Sequence, residues 1–362
     1  MTNILVIDGR EFIPGRLTGI GRVLNGLVDA FSENDKIDKI FLAVFSNNSI
    51  PFELKKKEKV LLKIVPVSFF RSEKYLSDLT NQDVSLFISP YPKLPLFGCH
   101  CPSVHIIHDV FDLTHPAYRH RFKAYFDGYR LRKALKRADL TWYVSYWSLE
   151  ETRKYAGFVG RDPRVRYNGI DETFNVGETR DSNEILNRYG LVPGYILVIG
   201  NGLPHKNLGV LLKIADQIGR KIIFVGVSEE RQLYWKEKFP GAEAVWIKFI
   251  PDEDLPAIIK GAFCLAQPST AEGYGYPPLE AMACGIPAII SNIPVLVETT
   301  GNNALIADPD SPETWLESFK LLEDNNHYKA QVEKGLRWVE PLRGRKGWQK
   351  HVSDIEEFLR ER

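Results

Sequence analysis

Short β-rich runs recur along this chain, and a stretch of helical periodicity fills most of the gaps between them. That alternation constrains the fold more than any other feature. Strands joined through helices lie parallel in a sheet covered on both faces, so the class is α/β. In the first half, residues 4–7, 40–45, 61–65, 86–88, 104–107 and 141–144 read as strands, and in the second 195–199, 222–225, 244–247, 262–266 and 288–290. Helices are expected over 21–31, 122–138, 207–217 and 314–322, among others. A single core stops growing at about 250–300 residues, so 362 residues imply two such domains. The polar, helix-poor stretch from Asn168 to about residue 180 separates them, giving domains over 1–170 and 171–344. Residues 345–362 carry Trp348, Val352, Ile355 and Phe358 at helical spacing.

Composition narrows the class further. Hydrophobic content of 44% and charged content of 26% are those of a soluble globular enzyme. A net charge of +1 gives no general reason to expect nucleic acid as a partner. The four cysteines make no disulfide framework, and Cys99-His100-Cys101 has no second ligand pair nearby for zinc. No apolar stretch approaches the roughly 20 residues that cross a bilayer. The opening Met-Thr-Asn-Ile-Leu-Val-Ile-Asp reads as a strand rather than a leader, so a cytoplasmic protein is expected.

Residues 268–287 bring chemistry. A strand runs into a loop holding Glu272, Gly273, Tyr274 and Gly275, and the loop into a helix opening at Pro277 and Pro278. Ligands of open α/β sheets bind beyond the carboxyl ends of strands, where bare glycine backbone and helix N–H groups can meet an anion. Glu280 is expected in the first helical turn, so that with Glu272 it faces one crevice. Three further strand ends carry polar residues. Gly200-Asn201-Gly202-Leu203-Pro204-His205-Lys206-Asn207 sets a lysine at a strand–helix turn, suited to a diphosphate. Thr18-Gly19-Ile20-Gly21-Arg22 opens a helix after the first strand, and His108-Asp109 closes another strand. Ser145, after the strand 141–144, reads on its own as a helix cap. Asp252-Glu253-Asp254 is better explained as an acidic helix start than as metal ligands.

The string E-G-Y-G-Y-P-P-L-E-A-M-A-C-G-I-P resembles the E-x7-E signature of retaining GT-B glycosyltransferases. The resemblance is to family 4 (group 1), which includes bacterial O-antigen and exopolysaccharide mannosyltransferases. It implies two Rossmann-like domains facing each other across a cleft, with the last helix packed back on the first. It also implies a nucleotide-sugar donor and a glycan or lipid-linked glycan acceptor, with no cofactor and no metal. Glu280 would then accept the ribose hydroxyls and Glu272 with Gly273, Tyr274 and Gly275 the sugar. Lys206, Asn201, His205, Gly19 and Gly21 would face the diphosphate. His108 would touch the transferred sugar, making His108, Glu272 and Lys206 the catalytic set, with Arg22, Asp109 and Ser145 on the acceptor side. Many members carry an arginine in the 200–207 loop, and this chain has none. GDP-mannose is the expected donor, with UDP-hexoses or dTDP-rhamnose as alternatives. A silent nucleotide-sugar-binding or scaffold protein, and an NAD-dependent enzyme, are the readings from other classes.

The stretch from Arg119 to Arg137 stands apart. Arg119, Arg121, Lys123, Arg130, Arg132, Lys133, Lys136 and Arg137 interleave with Phe122, Tyr125, Phe126 and Tyr129. Such a helix suits peripheral contact with an anionic inner-membrane surface. The plainer expectation is that its aromatics pack inward and its charges are solvated.

Overall fold

The computed structural model describes residues 2–15, 17–47, 49–114, 121–177 and 181–360. It divides into two compact units, Met1–Gly169 with Gly344–Arg362, and Ile170–Arg343.

The first unit is built on a parallel seven-stranded sheet. Its strands are β1 (Ile4–Asp8), β2 (Lys39–Val44), β3 (Val60–Ile64), β4 (Leu86–Ser89), β5 (Ser103–Ile107), β6 (Leu140–Tyr143) and β7 (Pro163–Val165), in the order β3-β2-β1-β4-β5-β6-β7. Every residue of β4, β5 and β6 is buried. Two of the polar side chains there meet across β5 and β6, where His105 Nε2 lies 2.9 Å from Thr141 Oγ1. The order reverses at β1, so the ligand crevice of this sheet lies beyond the carboxyl ends of β1 and β4.

The end of the chain packs into this unit. The Trp348 indole fits against Gly26 and Gly169 so closely that an added Cβ would stand 2.2 and 2.4 Å from the ring. The helix Gln349–Arg360 follows and buries Val352 and Ile355. Its Asp354 accepts the Trp142 indole N–H at 2.8 Å and hydrogen bonds from Arg164 and Arg166 at 2.7 Å.

The second unit holds a parallel six-stranded sheet of β8 (Tyr195–Ile199), β9 (Ile222–Val225), β10 (Ala244–Ile247), β11 (Ala262–Gln267), β12 (Ala288–Ser291) and β13 (Leu305–Ala307). Its order is β10-β9-β8-β11-β12-β13, which puts the reversal between β8 and β11. Leu211, Phe224, Cys264, Ile289 and Trp315 lie in its core. The unit closes where the chain enters and leaves it, Ile170 N–H donating to Leu342 O at 2.7 Å.

Two local expectations need correction. The helix expected over 207–217 is α-helical only at Gly209–Leu212. Asn207 is left-handed (φ 51°), and beyond the helix Ile214 and Gln217 donate to carbonyls three residues back rather than four. The acidic cluster 252–254 does stand at a helix start, with Asp254 at the N-cap of Leu255–Lys260, though its carboxylate makes no capping hydrogen bond. It accepts instead from Tyr189 at 2.8 Å and Arg188 at 3.1 Å, tying down the helix Ser182–Arg188. Strands β7 and β13 have no counterpart in the sequence reading, for each is a three-residue edge strand.

Candidate functional site

In the second unit the two glycine loops leave β8 and β11, which are hydrogen-bonded neighbours at the point where strand order reverses. After β8, Leu203 N–H turns back to Asn201 Oδ1 at 3.1 Å, and Pro204–Lys206 make one 3₁₀ turn. The Asn207 amide then fastens the turn to Pro309 O at 2.7 Å. Thr270 N–H donates to His205 O at 2.8 Å and joins this loop to the one after β11. Across that join Lys206 Nζ meets Glu272 Oε1 at 2.6 Å, with side chains only 16% and 10% exposed. The same oxygen accepts Ser269 Oγ at 2.6 Å and Gln267 Nε2 at 2.5 Å. Burial alone would raise the Glu272 carboxyl. The Lys206 charge and the hydrogen bonds from Lys206 and Ser269 outweigh it and hold the group below its ordinary value. The structure therefore brings Glu272 and Lys206 together as an ion pair, where the sequence suggested a lysine held open for an anion.

Gly275 starts the helix Tyr276–Ala283 from a left-handed conformation (φ 88°), and a Cβ there would stand 2.4 Å from Leu296 Cδ2. Only glycine fits. The helix ends with Gly285 N–H on Met282 O at 3.0 Å and Ile286 N–H on Ala281 O at 2.9 Å, a Schellman motif. Because it begins at Tyr276, Glu280 falls in the second turn, not the first, and is buried. The helix dipole, which acts within the first turn, does not account for its burial. Tyr274, buried before the helix, sets its ring edge against Tyr276, and Gly273 lies between Tyr274 and Glu272 in the half-buried loop.

The first unit gathers its polar groups at the carboxyl ends of β1, β4 and β5. Arg10 bridges Asp8 at 2.7 Å and Glu73 at 3.1 Å, and Glu73 also holds Arg130 at 2.6 Å and Leu96 N–H at 2.8 Å. Glu11 accepts Thr18 Oγ1 at 2.8 Å and Tyr91 O–H at 2.9 Å. It thereby links the loop after β4 to the start of the helix Gly19–Ser32. Thr18 caps that helix, taking Gly21 N–H at 3.0 Å. Gly19 is exposed, and a Cβ on it would meet nothing within 4 Å, so packing does not demand glycine there. Arg22 is half-buried in the first turn.

His108 follows β5 with Nε2 3.0 Å from Pro90 O. A carbonyl can only accept, so Nε2 carries the proton and Nδ1 is the acceptor of a neutral ring. Burial pushes its pKa down to about 4 against a smaller upward pull from Pro90 O. Asp109 Oδ1 accepts Phe111 N–H at 3.0 Å. Ser145, fully buried, caps the helix Tyr146–Ala156 in a reciprocal box with Ser148, the structural one of its two readings.

Gln267, Ser269, Glu11 and Tyr91 were not singled out in the sequence. The available signal was a lone glutamine ending the apolar run of β11 and a serine three residues before Glu272. Among the described residues, no three His, Cys, Asp or Glu side chains converge as metal ligands. His100 Nε2 lies 3.4 Å from Ser77 Oγ, and Cys99 Sγ donates to Cys101 O at 3.4 Å.

The basic stretch forms the helix Arg121–Arg137; Arg119 lies outside the described residues. Its aromatics do not all pack inward. Tyr125 is 83% exposed, and Phe126 and Tyr129 are exposed as well. Phe126 lies 6.5 Å from Phe69, itself 5.2 Å from Phe70, and both of those are exposed. The charges are more occupied than the sequence suggests. Arg130 is buried on Glu73, Lys123 pairs with Asp112 at 2.9 Å, and Arg132 lies over Tyr155 at 4.7 Å. Among the described residues, no helix is long and apolar enough to cross a membrane.

Comparison with known proteins agrees with this architecture. The family model for Glycosyl transferases group 1 matches residues 186–338, and that for Glycosyltransferase Family 4 matches 19–174. The chain is 27% identical to O-antigen chain mannosyltransferase B of Escherichia coli over 357 residues, spanning 91% of this chain and 94% of that one. It is also 27% identical to O-antigen chain mannosyltransferase RfbU of Salmonella typhimurium over 212 residues, 56% of this chain and 55% of the relative. Among solved structures, Anabaena Alr3699/HepE in complex with UDP-glucose superposes with a TM-score of 0.77 at 17% identity, covering 99% of this chain and all of that one. WaaG, a glycosyltransferase involved in lipopolysaccharide biosynthesis, gives 0.73 at 12% identity, covering 97% and 99%.

Proposed function

We propose that this chain, which belongs to the group 1 and family 4 glycosyltransferases and has the GT-B fold, moves mannose from GDP-mannose onto a glycan hydroxyl. The acceptor is a lipid-linked glycan of O-antigen or a related surface polysaccharide, and the sugar keeps its anomeric configuration. The observation that carries the donor reading is the pairing of Lys206 with Glu272 where strand order reverses in the second sheet. A buried cation and carboxylate there match a ligand that is a diphosphate at one end and a polyol at the other. The mannose assignment draws on the relative that matches nearly the whole chain.

In this reading the donor diphosphate draws Lys206 from Glu272, and the lysine stabilises the charge that develops as the diphosphate departs. Asn201 and His205 sit in the same loop and line the phosphate side. Glu272 with Gly273, Tyr274 and Gly275 receives the sugar, and Glu280 the ribose hydroxyls. His108, neutral at physiological pH, takes a sugar hydroxyl on Nδ1. The leaving phosphate helps to deprotonate the acceptor hydroxyl on the face it vacates. Arg22 and Asp109 serve the acceptor. The reaction needs neither resident cofactor nor metal, so a chelator is expected to leave turnover unchanged.

The protein acts at the cytoplasmic face of the inner membrane, with the exposed rings of Phe69, Phe70, Tyr125, Phe126 and Tyr129 entering the interface. A UDP-hexose donor is the second reading, favoured by the UDP-glucose complex of a structural neighbour. Thermal stabilisation by GDP, UDP and dTDP, followed by sugar release from GDP-mannose, UDP-glucose and dTDP-rhamnose, decides between them. Ligand at 100 times its Kd stabilises by about 2.7 kcal/mol. Stabilisation by UDP alone would end the GDP-mannose assignment, and stabilisation by none of the three would end the donor reading.

A further inference from the structure

Glu272 Oε1 carries three donors, and only one of them is charged. Lys206 Nζ approaches at 2.6 Å, Ser269 Oγ at 2.6 Å and Gln267 Nε2 at 2.5 Å. Gln267 Nε2 also donates to Ser269 Oγ at 2.9 Å, so the two neutral residues form a closed triangle with the carboxylate. Both are buried, Ser269 completely. The arrangement is costly, because Gln267 Oε1 is buried with no hydrogen-bond partner among the described residues. A buried acceptor left without a partner keeps its full desolvation penalty. Flipping the amide gives no relief, since it would set its oxygen against the carboxylate oxygen. The orientation that strands Oε1 is the one that gives Glu272 a second neutral donor.

We propose that Gln267 and Ser269 are positioning residues that hold Glu272 in place without Lys206, so that the lysine can leave for a donor diphosphate while the carboxylate stays. A buried carboxylate stripped of its only partner would be strongly destabilising, and would follow the lysine or take a proton. Two hydrogen bonds from neutral donors to a charged acceptor keep it oriented, and ionised at neutral pH. The other charged or titratable groups facing it come from the loop after β8, Lys206 itself and His205. The exchange of Lys206 rests on the function proposed above; the hold on Glu272 does not.

The hold is tested without any donor, by urea unfolding at pH 7.5 of wild type, Ser269→Ala, Lys206→Met and the double variant. If Ser269 and Gln267 share the carboxylate with Lys206, Ser269→Ala lowers the midpoint at least twice as far in the Lys206→Met background as in wild type. Equal shifts in both backgrounds overturn the inference. Turnover supplies the second arm. Gln267→Leu and Ser269→Ala are each expected to lower kcat about tenfold with the donor KM within twofold, and to move the acid limb of the kcat profile upward by about one pH unit. Ser269→Thr, which keeps the hydroxyl, restores both. A purely structural serine or glutamine would lower kcat without moving that limb, and an unmoved limb in folded variants counts against the inference. A wild type that binds no nucleoside diphosphate would remove the donor reading, while the unfolding cycle still decides whether these residues hold Glu272.

Discussion

Replacing Lys206 with methionine removes the charge opposite Glu272 while keeping most of the volume. The pair is nearly dry, with side chains 16% and 10% exposed at a separation of 2.6 Å. Breaking such a pair by deleting one partner costs about 3–5 kcal/mol. Gln267 and Ser269 remain on the carboxylate, which puts the expected loss near the lower figure, about 3 kcal/mol at pH 7.5. For an m-value of roughly 2 kcal/mol/M this is a fall of roughly 1.5 M in the urea midpoint. The sequence alone, with Lys206 read as a free ligand for phosphate, leads one to expect almost no change in stability.

The loss should depend on pH in a definite direction. In wild type the Glu272 carboxyl is held below its ordinary value, so its contribution is complete above about pH 4.5 and disappears as pH falls through the folded value. In Lys206→Met, burial is opposed only by the neutral hydrogen bonds, so the carboxyl lies above its wild-type position. The variant then takes up a proton at a pH where wild type remains ionised, and the gap between the two narrows from pH 7.5 to pH 5. Adding Glu272→Gln to Lys206→Met removes the unpaired charge and should recover at least half of the lost midpoint. Urea unfolding followed by tryptophan fluorescence at the two pH values measures all of this. A shift under about 0.3 M at pH 7.5, or one of equal size at pH 5, would refute a buried, mutually dependent pair.

Glu280→Ala is expected to weaken nucleoside diphosphate binding by about 1–3 kcal/mol, the scale for hydrogen bonds to a charged group; calorimetry giving unchanged affinity in a folded variant removes the ribose assignment. Asp354→Ala leaves Arg164 and Arg166 without their shared carboxylate and should cost about 3–5 kcal/mol at pH 7. Despite its burial, the Asp354 carboxyl is held down by Arg166 and Arg164. Its contribution is therefore whole above about pH 4 and lost below, so urea midpoints of variant and wild type should converge in acid. Phe70→Ser with Tyr125→Ser should abolish sedimentation with phosphatidylglycerol vesicles, because the rings carry the contact and several nearby charges are already paired. Loss of binding in high salt with those rings intact would return the contact to the basic residues.

Much of this molecule was legible because parallel strands buried on both faces leave unbroken apolar runs. β8 and β9, buried along nearly their whole length, have the bounds that the pattern suggests, and so does the half-buried edge strand β10. The three-residue edge strands β7 and β13 are too short for any periodicity to register. The start of the helix at Tyr276 escaped for another reason. Proline marks the first turn of a helix but not its first residue, and here left-handed Gly275 sets the start one position earlier and moves Glu280 into the second turn. The candidate site divides along the same line. Glycines and glutamates at fixed spacing are visible in one dimension, whereas partnership across strands is not.

Lys206 and Glu272 stand 66 residues apart in sequence and meet only because β8 and β11 are neighbours in a sheet whose order reverses between them. A sequence motif names the charged groups of such a site one loop at a time, so each looks available to a ligand. Sheet topology decides which of them are already committed to one another. Here the lysine is committed, and any anion that takes it must compete with a buried carboxylate. If the proposed donor occupies this site, the charge on Glu272 is expected to set nucleotide affinity as well as sugar handling, a dependence that neither loop shows by itself.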